Sequence, residues 1–230
     1  DLDFARNGKM TPGMVGFFPE GAAYGPQTSE VTATTIVLQF RGARGGGYLS
    51  RNEVKQGMDE LAQFGSFEGG VFRRNDGVPG KRNMDGYEAI WSHVNGRELE
   101  YPKPRYPKPV MMKRENVDWV ALPGQPGVHQ KLLGVFTERR AEAAFYKLDP
   151  GATLRVAGRG IYVACAGEGM VAGQPLRRFT TVFLDHDEVS KVTATTETEL
   201  IHFGLPDLRD MAAMPEVTAL FWDVGGVILS

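Results

Sequence analysis

Four histidines and one cysteine bound the metal and nucleophile chemistry open to this chain: His93, His129, His186, His202 and Cys165. A divalent cation needs three or four donors converging at about 2.0–2.2 Å. No two of these histidines share a ligand spacing. The lone cysteine excludes an internal disulfide and a cysteine cluster, and its apolar surroundings, Ile161-Tyr-Val-Ala-Cys165, predict a buried, inert thiol. His202 lies in the alternating run Thr198-Glu-Leu-Ile-His-Phe203 and is the histidine placed to face an interior. Glu199, three residues away, must point to the opposite face, because strand side chains alternate with period two. A structural histidine with one ring hydrogen bond is the ordinary reading of such a residue. The Gly-rich stretch 41–49 would let a backbone approach a phosphate. It lacks the Gly-Lys-Ser/Thr order of a phosphate-binding P-loop and reads as a connection.

The elements that must position these groups are mostly strands. Val31-Thr-Ala-Thr-Thr-Ile-Val-Leu-Gln-Phe40 is rich in β-branched residues and predicts a strand. Further along, Trp119–Leu122, Gln130–Phe136, Glu142–Asp149, Gly160–Cys165, Phe179–Leu184, Ser190–Thr195 and Thr198–Phe203 give seven short strands broken by Gly, Pro and Asp. That density predicts a sandwich or barrel. Between the two halves, Ser50-Arg-Asn-Glu53 is a capping box, with Val54, Met58 and Leu61 at helical spacing after it. Asp85–Val94 predicts a second short helix ended by Asn95-Gly96. Tyr101-Pro-Lys-Pro-Arg-Tyr-Pro-Lys-Pro109 cannot be helix or central strand and reads as an extended crossover.

Composition narrows the function classes. The chain has 230 residues, 42% of them hydrophobic, enough for a real core in one large or two small domains. A net charge of -2 gives no electrostatic case for nucleic acid or an anionic membrane. No apolar run reaches the length of about 18 residues that would suggest a membrane span. With no charged-then-apolar leader and one free cysteine, a reducing cytoplasm is the expected location. Asp1-Leu-Asp-Phe-Ala-Arg-Asn-Gly8 starts without Met and reads like the middle of a hairpin, so sequence upstream is expected.

Asp149-Pro150-Gly151, the hairpin after it, Tyr162-Val163…Gly167-Glu-Gly169 and the closing strands resemble the cupin superfamily of small double-stranded β-helix barrels. Pro19-Glu-Gly21-Ala-Ala-Tyr24 is similar to the second cupin motif, Pro-x-Gly-x-x-His-x-x-x-Asn. The resemblance covers residues 1–40 and 110–208. It implies a mainly all-β fold of two cupin-like barrels: part of a first barrel over 1–49, a helical insertion and Pro-rich linker over 50–109, and a second barrel over 110–208. Metal-binding cupins use His-x-His and Glu from the first motif and His from the second. Here Tyr24 stands at the His position and Thr28 at the Asn position, while Ala152–Gly160 and Ser190–Thr196 contain no His, Asp or Glu. The second barrel is therefore expected to hold no metal, and the first is left open. The pockets would be lined by Tyr24 in the first barrel and by Arg155, Arg159, Tyr162 and His202 in the second. Arginine at former ligand positions could pair bidentately with a carboxylate or phosphate, or could be solvated on an exposed hairpin.

The tail over 209–230 contains Ala219-Leu-Phe-Trp-Asp223-Val-Gly-Gly-Val-Ile-Leu, which resembles the first motif of haloacid-dehalogenase-like hydrolases. That resemblance puts the nucleophile at Asp223, yet no second acidic motif follows. A fusion or fragment is the favoured explanation, and a strand added to a barrel edge the alternative. The resulting expectation is a cupin-like protein that binds a small polar or anionic ligand, with no cofactor, nucleic acid or membrane partner. Exposed barrel edges make a homodimer a plausible assembly. The alternatives are a cupin oxygenase, isomerase or lyase with its metal in the first barrel, or a fragment fused to a hydrolase.

Overall fold

A computed structural model describes residues 1–32, 35–38, 49–101, 103–136 and 141–205. The N-terminal segment holds three short strands, β1 (Leu2–Asp3), β2 (Lys9–Met10) and β3 (Val15–Phe17). Then come α1 (Arg51–Leu61), β4 (Gly65–Glu68), β5 (Val71–Arg74), β6 (Asn83–Asp85) and α2 (Gly86–Asn95). The remaining strands are β7 (Val110–Met112), β8 (Val120–Ala121), β9 (Val128–Val135), β10 (Glu142–Leu148), β11 (Thr153–Ala157), β12 (Gly160–Ala166), β13 (Gly169–Val171), β14 (Gln174–Leu176), β15 (Thr181–Leu184), β16 (Val189–Ala194) and β17 (Thr198–Gly204). Among the described residues, no helix is long and apolar enough to cross a membrane.

Strands β8 to β17 form two facing antiparallel sheets, one of order β15-β12-β17-β10-β9-β8 and one of order β11-β16-β13-β14. Leu148, Leu154, Val156, Leu176, Val192 and Leu200 pack between them as a fully buried core. Alternation then decides which residues face inward. On β17, Thr198, Leu200 and His202 share the inner face; on β10, Glu142, Ala144, Tyr146 and Leu148 do; on β12, Gly160, Tyr162 and Ala164 do. Thr198 is the polar residue of the deep core, and its hydroxyl is satisfied by the carbonyls of Glu168 (3.0 Å) and Thr196 (2.9 Å).

The six-stranded sheet is buried on its other face too. Ala143, Phe145, Ile161, Val163 and Ile201 lie beneath Val15, Phe17, Ile36, Leu38, Val110 and Met112. Strand β3 pairs with β7 to make this cover, and Phe17 stacks on Phe136 with ring centroids 4.6 Å apart. Burial on both faces explains why β10 and β12 are apolar at nearly every position. The described part of residues 1–49 thus forms short strands and a cover for the sheet. The strand expected over Val31–Phe40 is not found in its described residues, 31–32 and 35–38. Ile36 and Leu38 contribute side chains to the cover rather than rungs to a ladder.

Residues 50–96 form a small α/β unit. The capping box forms as expected: Glu53 N–H donates to Ser50 Oγ (3.2 Å) and Ser50 N–H to Glu53 Oε2 (2.7 Å). Asp85 caps α2 by accepting from Glu88 N–H (3.0 Å), and Gly96 ends it in the left-handed region at φ 64°. Gly65 opens β4. Strands β4, β5 and β6 form a three-stranded sheet that the sequence reading missed, packed through Phe72 against Leu61, Ala89 and Ile90.

Candidate functional site at one end of the barrel

The polar side chains of the barrel interior gather where Gly160, Gly204 and Glu142 are brought side by side in neighbouring strands. His202 is buried and sits opposite Ala144 on one side and Tyr162 on the other. The Tyr162 ring lies nearly flat on the imidazole, with centroids 4.2 Å apart and planes 17° from parallel. Tyr146, one step along β10, completes an aromatic group 6.1 Å from both. Gln130 Nε2 donates to the Tyr146 hydroxyl at 2.8 Å, which leaves the phenol proton available for donation elsewhere.

Glu142 gives this group its charge. Its Oε1 lies 3.4 Å from His202 Nδ1, an ion-pair distance when the ring is protonated. The geometry does not make a hydrogen bond, so Nδ1 is a buried nitrogen with no hydrogen-bond partner. The Glu142 side chain is 21% exposed, so the carboxylate stands between the buried ring and solvent. Burial, reinforced by Glu142, pushes the Tyr146 phenol above its ordinary pKa. Burial, then neighbouring Tyr146 and Glu142, raises Tyr162 further. Both are neutral donors at any physiological pH.

The second imidazole nitrogen explains Gly160. A Cβ at that position would stand 2.5 Å from His202 Nε2 and 2.9 Å from the Phe203 carbonyl. Glycine is thus required for the close approach of backbone to ring. A divalent cation does not fit this donor set. Nε2 is turned onto the β12 backbone, Nδ1 has one carboxylate beside it, and among the described residues no three His, Cys, Asp or Glu side chains form a cluster able to hold a metal.

Of the residues expected to line pockets, Tyr162 and His202 are brought together, and Arg159 precedes Gly160 at the same end of the sheet. Its Nε lies 3.3 Å from Asp185 Oδ1. Arg155 is exposed, alternating with inward Leu154 and Val156, and therefore stands on the outer face of the smaller sheet, the solvated alternative rather than a pocket position. Tyr24, expected in a first barrel, is 52% exposed and packs with Phe18 (4.8 Å) and Phe4 (6.2 Å). Asp223 lies outside the described residues. Glu199 points away from His202, as alternation requires, and pairs with Arg114. His93 bridges α2 to Glu60 of α1 at 2.7 Å. Burial raises Cys165 to about 11, consistent with an inert thiol. Sequence reading missed Tyr146, Gln130 and Glu142. Strand β10 is buried on both faces, so no signal in its sequence marks the side that Tyr146 and Glu142 take. The two surface clefts of the α/β unit share no lining residue with this group.

No protein-family model matches the sequence, and no curated protein matches it. Among solved structures, the chain is similar to an RmlC-like cupin from Shewanella frigidimarina, at 22% identity over 43% of this chain and 91% of that chain, TM-score 0.35. It is similar to an acetylacetone dioxygenase from Acinetobacter johnsonii at 18% identity over 47% of this chain and 78% of that one, TM-score 0.37. A chain of the Rhodobacter sphaeroides complex of SigE with the anti-sigma ChrR is similar at 18% identity over 40% of this chain, TM-score 0.34. This chain spans half the length of that last one. At these identities nothing about activity follows.

Proposed function

We propose that the protein is a metal-free, cupin-like binding protein that takes a small polar ligand at the Glu142 end of its second barrel. The observation that carries this reading is His202 Nδ1: a buried nitrogen beside a half-buried carboxylate, with no hydrogen bond to satisfy it. Buried polar atoms in native proteins nearly always find partners, and an orphan at the end of a barrel is a place for a ligand atom. Tyr146 and Tyr162 supply neutral hydroxyls, Glu142 an acceptor, and Gln130 orientation. A ligand carrying both a donor for Glu142 and a face to lie against the aromatic group suits this set.

The test is a screen of small polar metabolite classes (hydroxy acids, amino acids, sugars) by thermal shift, alongside metal analysis of the purified protein. Binding that perturbs the His202 ring resonances, and is weakened at least tenfold in Glu142→Gln, supports the reading. Stoichiometric Fe, Mn, Zn or Ni overturns the metal-free part. A ligand that leaves the His202 resonances unchanged overturns the site.

A further inference from the structure

We propose that the outer face of the six-stranded sheet carries a second binding site, for a small organic anion whose phosphate or carboxylate group lies between Lys131 and Lys147 beside Trp119.

The ladders bring these residues together. Strand β9 pairs with β10 so that His129 stands opposite Lys147, and Lys131 opposite Phe145. Across the other edge of β10, Lys147 stands opposite Glu199. Strand β8 sets Ala121 opposite His129. Trp119, two residues before Ala121, falls beside Lys131 on the same face. All of these side chains point away from the core of Val128, Leu148 and Leu200. The cluster is at the opposite end of β10 from Glu142 and on the opposite face of the sheet, so it shares no residue with the group around His202.

The two lysines lack counter-ions. Both are half-buried, with ammonium groups 4.9 Å (Lys131) and 5.4 Å (Lys147) from the centre of the Trp119 ring. Lys131 donates to the Arg114 carbonyl at 2.9 Å. The carboxylates of Glu199 and Glu115 both lie against the Arg114 guanidinium. Asp118, beside Trp119, and Asp149, at the end of β10, pair with neither lysine, and among the described residues no other carboxylate does. Like charges drawn to one ring and partly sheltered from water repel each other, and an anion between them relieves that repulsion. His129 supplies a second observation. Its Nδ1 is buried without a hydrogen-bond partner, on the residue directly opposite Lys147, and buried polar nitrogens nearly always have one.

The donor types define the ligand. An ammonium group is a compact charge with three donors and no acceptor. Two of them, with an imidazole nearby, suit an oxyanion and repel a cation. The indole adds a broad apolar surface, against which the carbon skeleton of the anion can lie. A phosphate or carboxylate joined to a small apolar group meets both requirements.

The test is titration of the isotope-labelled full chain with phenyl phosphate, benzoate and neutral benzyl alcohol at constant ionic strength. The readout is the Trp119 indole N–H resonance, assigned with Trp119→Phe. At least one of the two anions is expected to shift it saturably, the tighter of them identifying the group recognised, while benzyl alcohol leaves it in place. The dissociation constant is expected to rise about tenfold in Lys147→Gln and in Lys131→Gln, each of which removes a charge-assisted hydrogen bond. Thermal unfolding identifies a variant that fails to fold. Lys147 carries the test if the Lys131 variant does, because the Lys147 ammonium makes no hydrogen bond within the described residues. The His202 resonances are expected to stay unchanged, so this site and the one at the Glu142 end stand or fall separately. A Trp119 resonance that neither anion moves overturns the proposal, as does one that benzyl alcohol moves equally, or an affinity unchanged in Lys147→Gln.

Discussion

Gly160 and His202 are matched across the β12–β17 ladder: the absence of one side chain makes room for the other. A methyl group at position 160 would fall 2.5 Å from Nε2, closer than a real Cβ approaches any heavy atom. Gly160→Ala is expected to destabilise the fold by about 1–3 kcal/mol, the usual range for overpacking a filled interior. Part of that cost belongs to the ring and part to the Phe203 carbonyl at 2.9 Å. In a double-mutant cycle, Gly160→Ala with His202→Ala is expected to cost less than the sum of the two single changes. Urea denaturation of the four proteins checks it, and strict additivity would remove the coupling argued here.

Tyr146 and Tyr162 predict how stability changes in alkali. Both folded pKa values are raised, chiefly by burial. An unfolded tyrosine loses its proton near pH 10, whereas the folded chain still holds these two. In that window the folded state binds more protons, so stability is complete below the unfolded value and declines as pH rises above it. Absorbance titration should show Tyr146 and Tyr162 ionising only with unfolding, with Tyr87 and Tyr101, also raised chiefly by burial, titrating late beside them. Tyr162→Phe is expected to flatten the alkaline decline, measured as the denaturation midpoint against pH.

Much of this architecture was readable in the chain, and the failures have physical causes. Seven of the ten strands β8 to β17 were legible because turn residues punctuate them, whereas β11, β13 and β14, of three to five residues each, were not read. Inner and outer faces were harder. In β10 and β12 both faces are apolar, so Glu142-Ala-Ala-Phe-Tyr-Lys-Leu carries no period-two pattern to show which side Tyr146 takes. His202 could be assigned inward, since Glu199 marks the other face. Strands β4 to β6 escaped because each has only three or four residues, too few for any period, although Gly69-Gly70 between β4 and β5 is a hairpin signal. Val31–Phe40 misled through propensity: β-branched residues suit any half-buried surface, and Ile36 and Leu38 are used as cover.

Ser50 is expected to matter more than its exposure suggests. Its hydroxyl and the Glu53 carboxylate satisfy each other's backbone N–H at the start of α1. The Glu53 pKa is lowered mainly by the hydrogen bond with the Ser50 side chain, then by that with its backbone. Ser50→Ala is expected to cost about 0.5–2 kcal/mol, with Ser50→Asp close to neutral. Because α1 packs on α2 and the three-stranded sheet, the loss should appear as faster amide exchange throughout the α/β unit rather than in the barrel.

The ion pair between Arg114 and Glu199 gives a contrasting case, because it is sheltered. The Glu199 side chain is 18% exposed, on the outer face of the six-stranded sheet. Arg114 also lies 5.3 Å from the centre of the Phe145 ring, so the guanidinium both neutralises the carboxylate and covers apolar surface. Removing the arginine alone leaves a partly buried carboxylate without its partner, a change that costs more than losing an exposed pair. Arg114→Ala is expected to destabilise by about 1–3 kcal/mol, since a charge is left with its desolvation uncompensated. Arg114→Met with Glu199→Gln, which keeps volume and removes both charges, is expected to recover most of that loss. Thermal denaturation at low and high salt separates the two contributions: the single variant should keep its deficit at both, because a sheltered pair is screened less than a surface one.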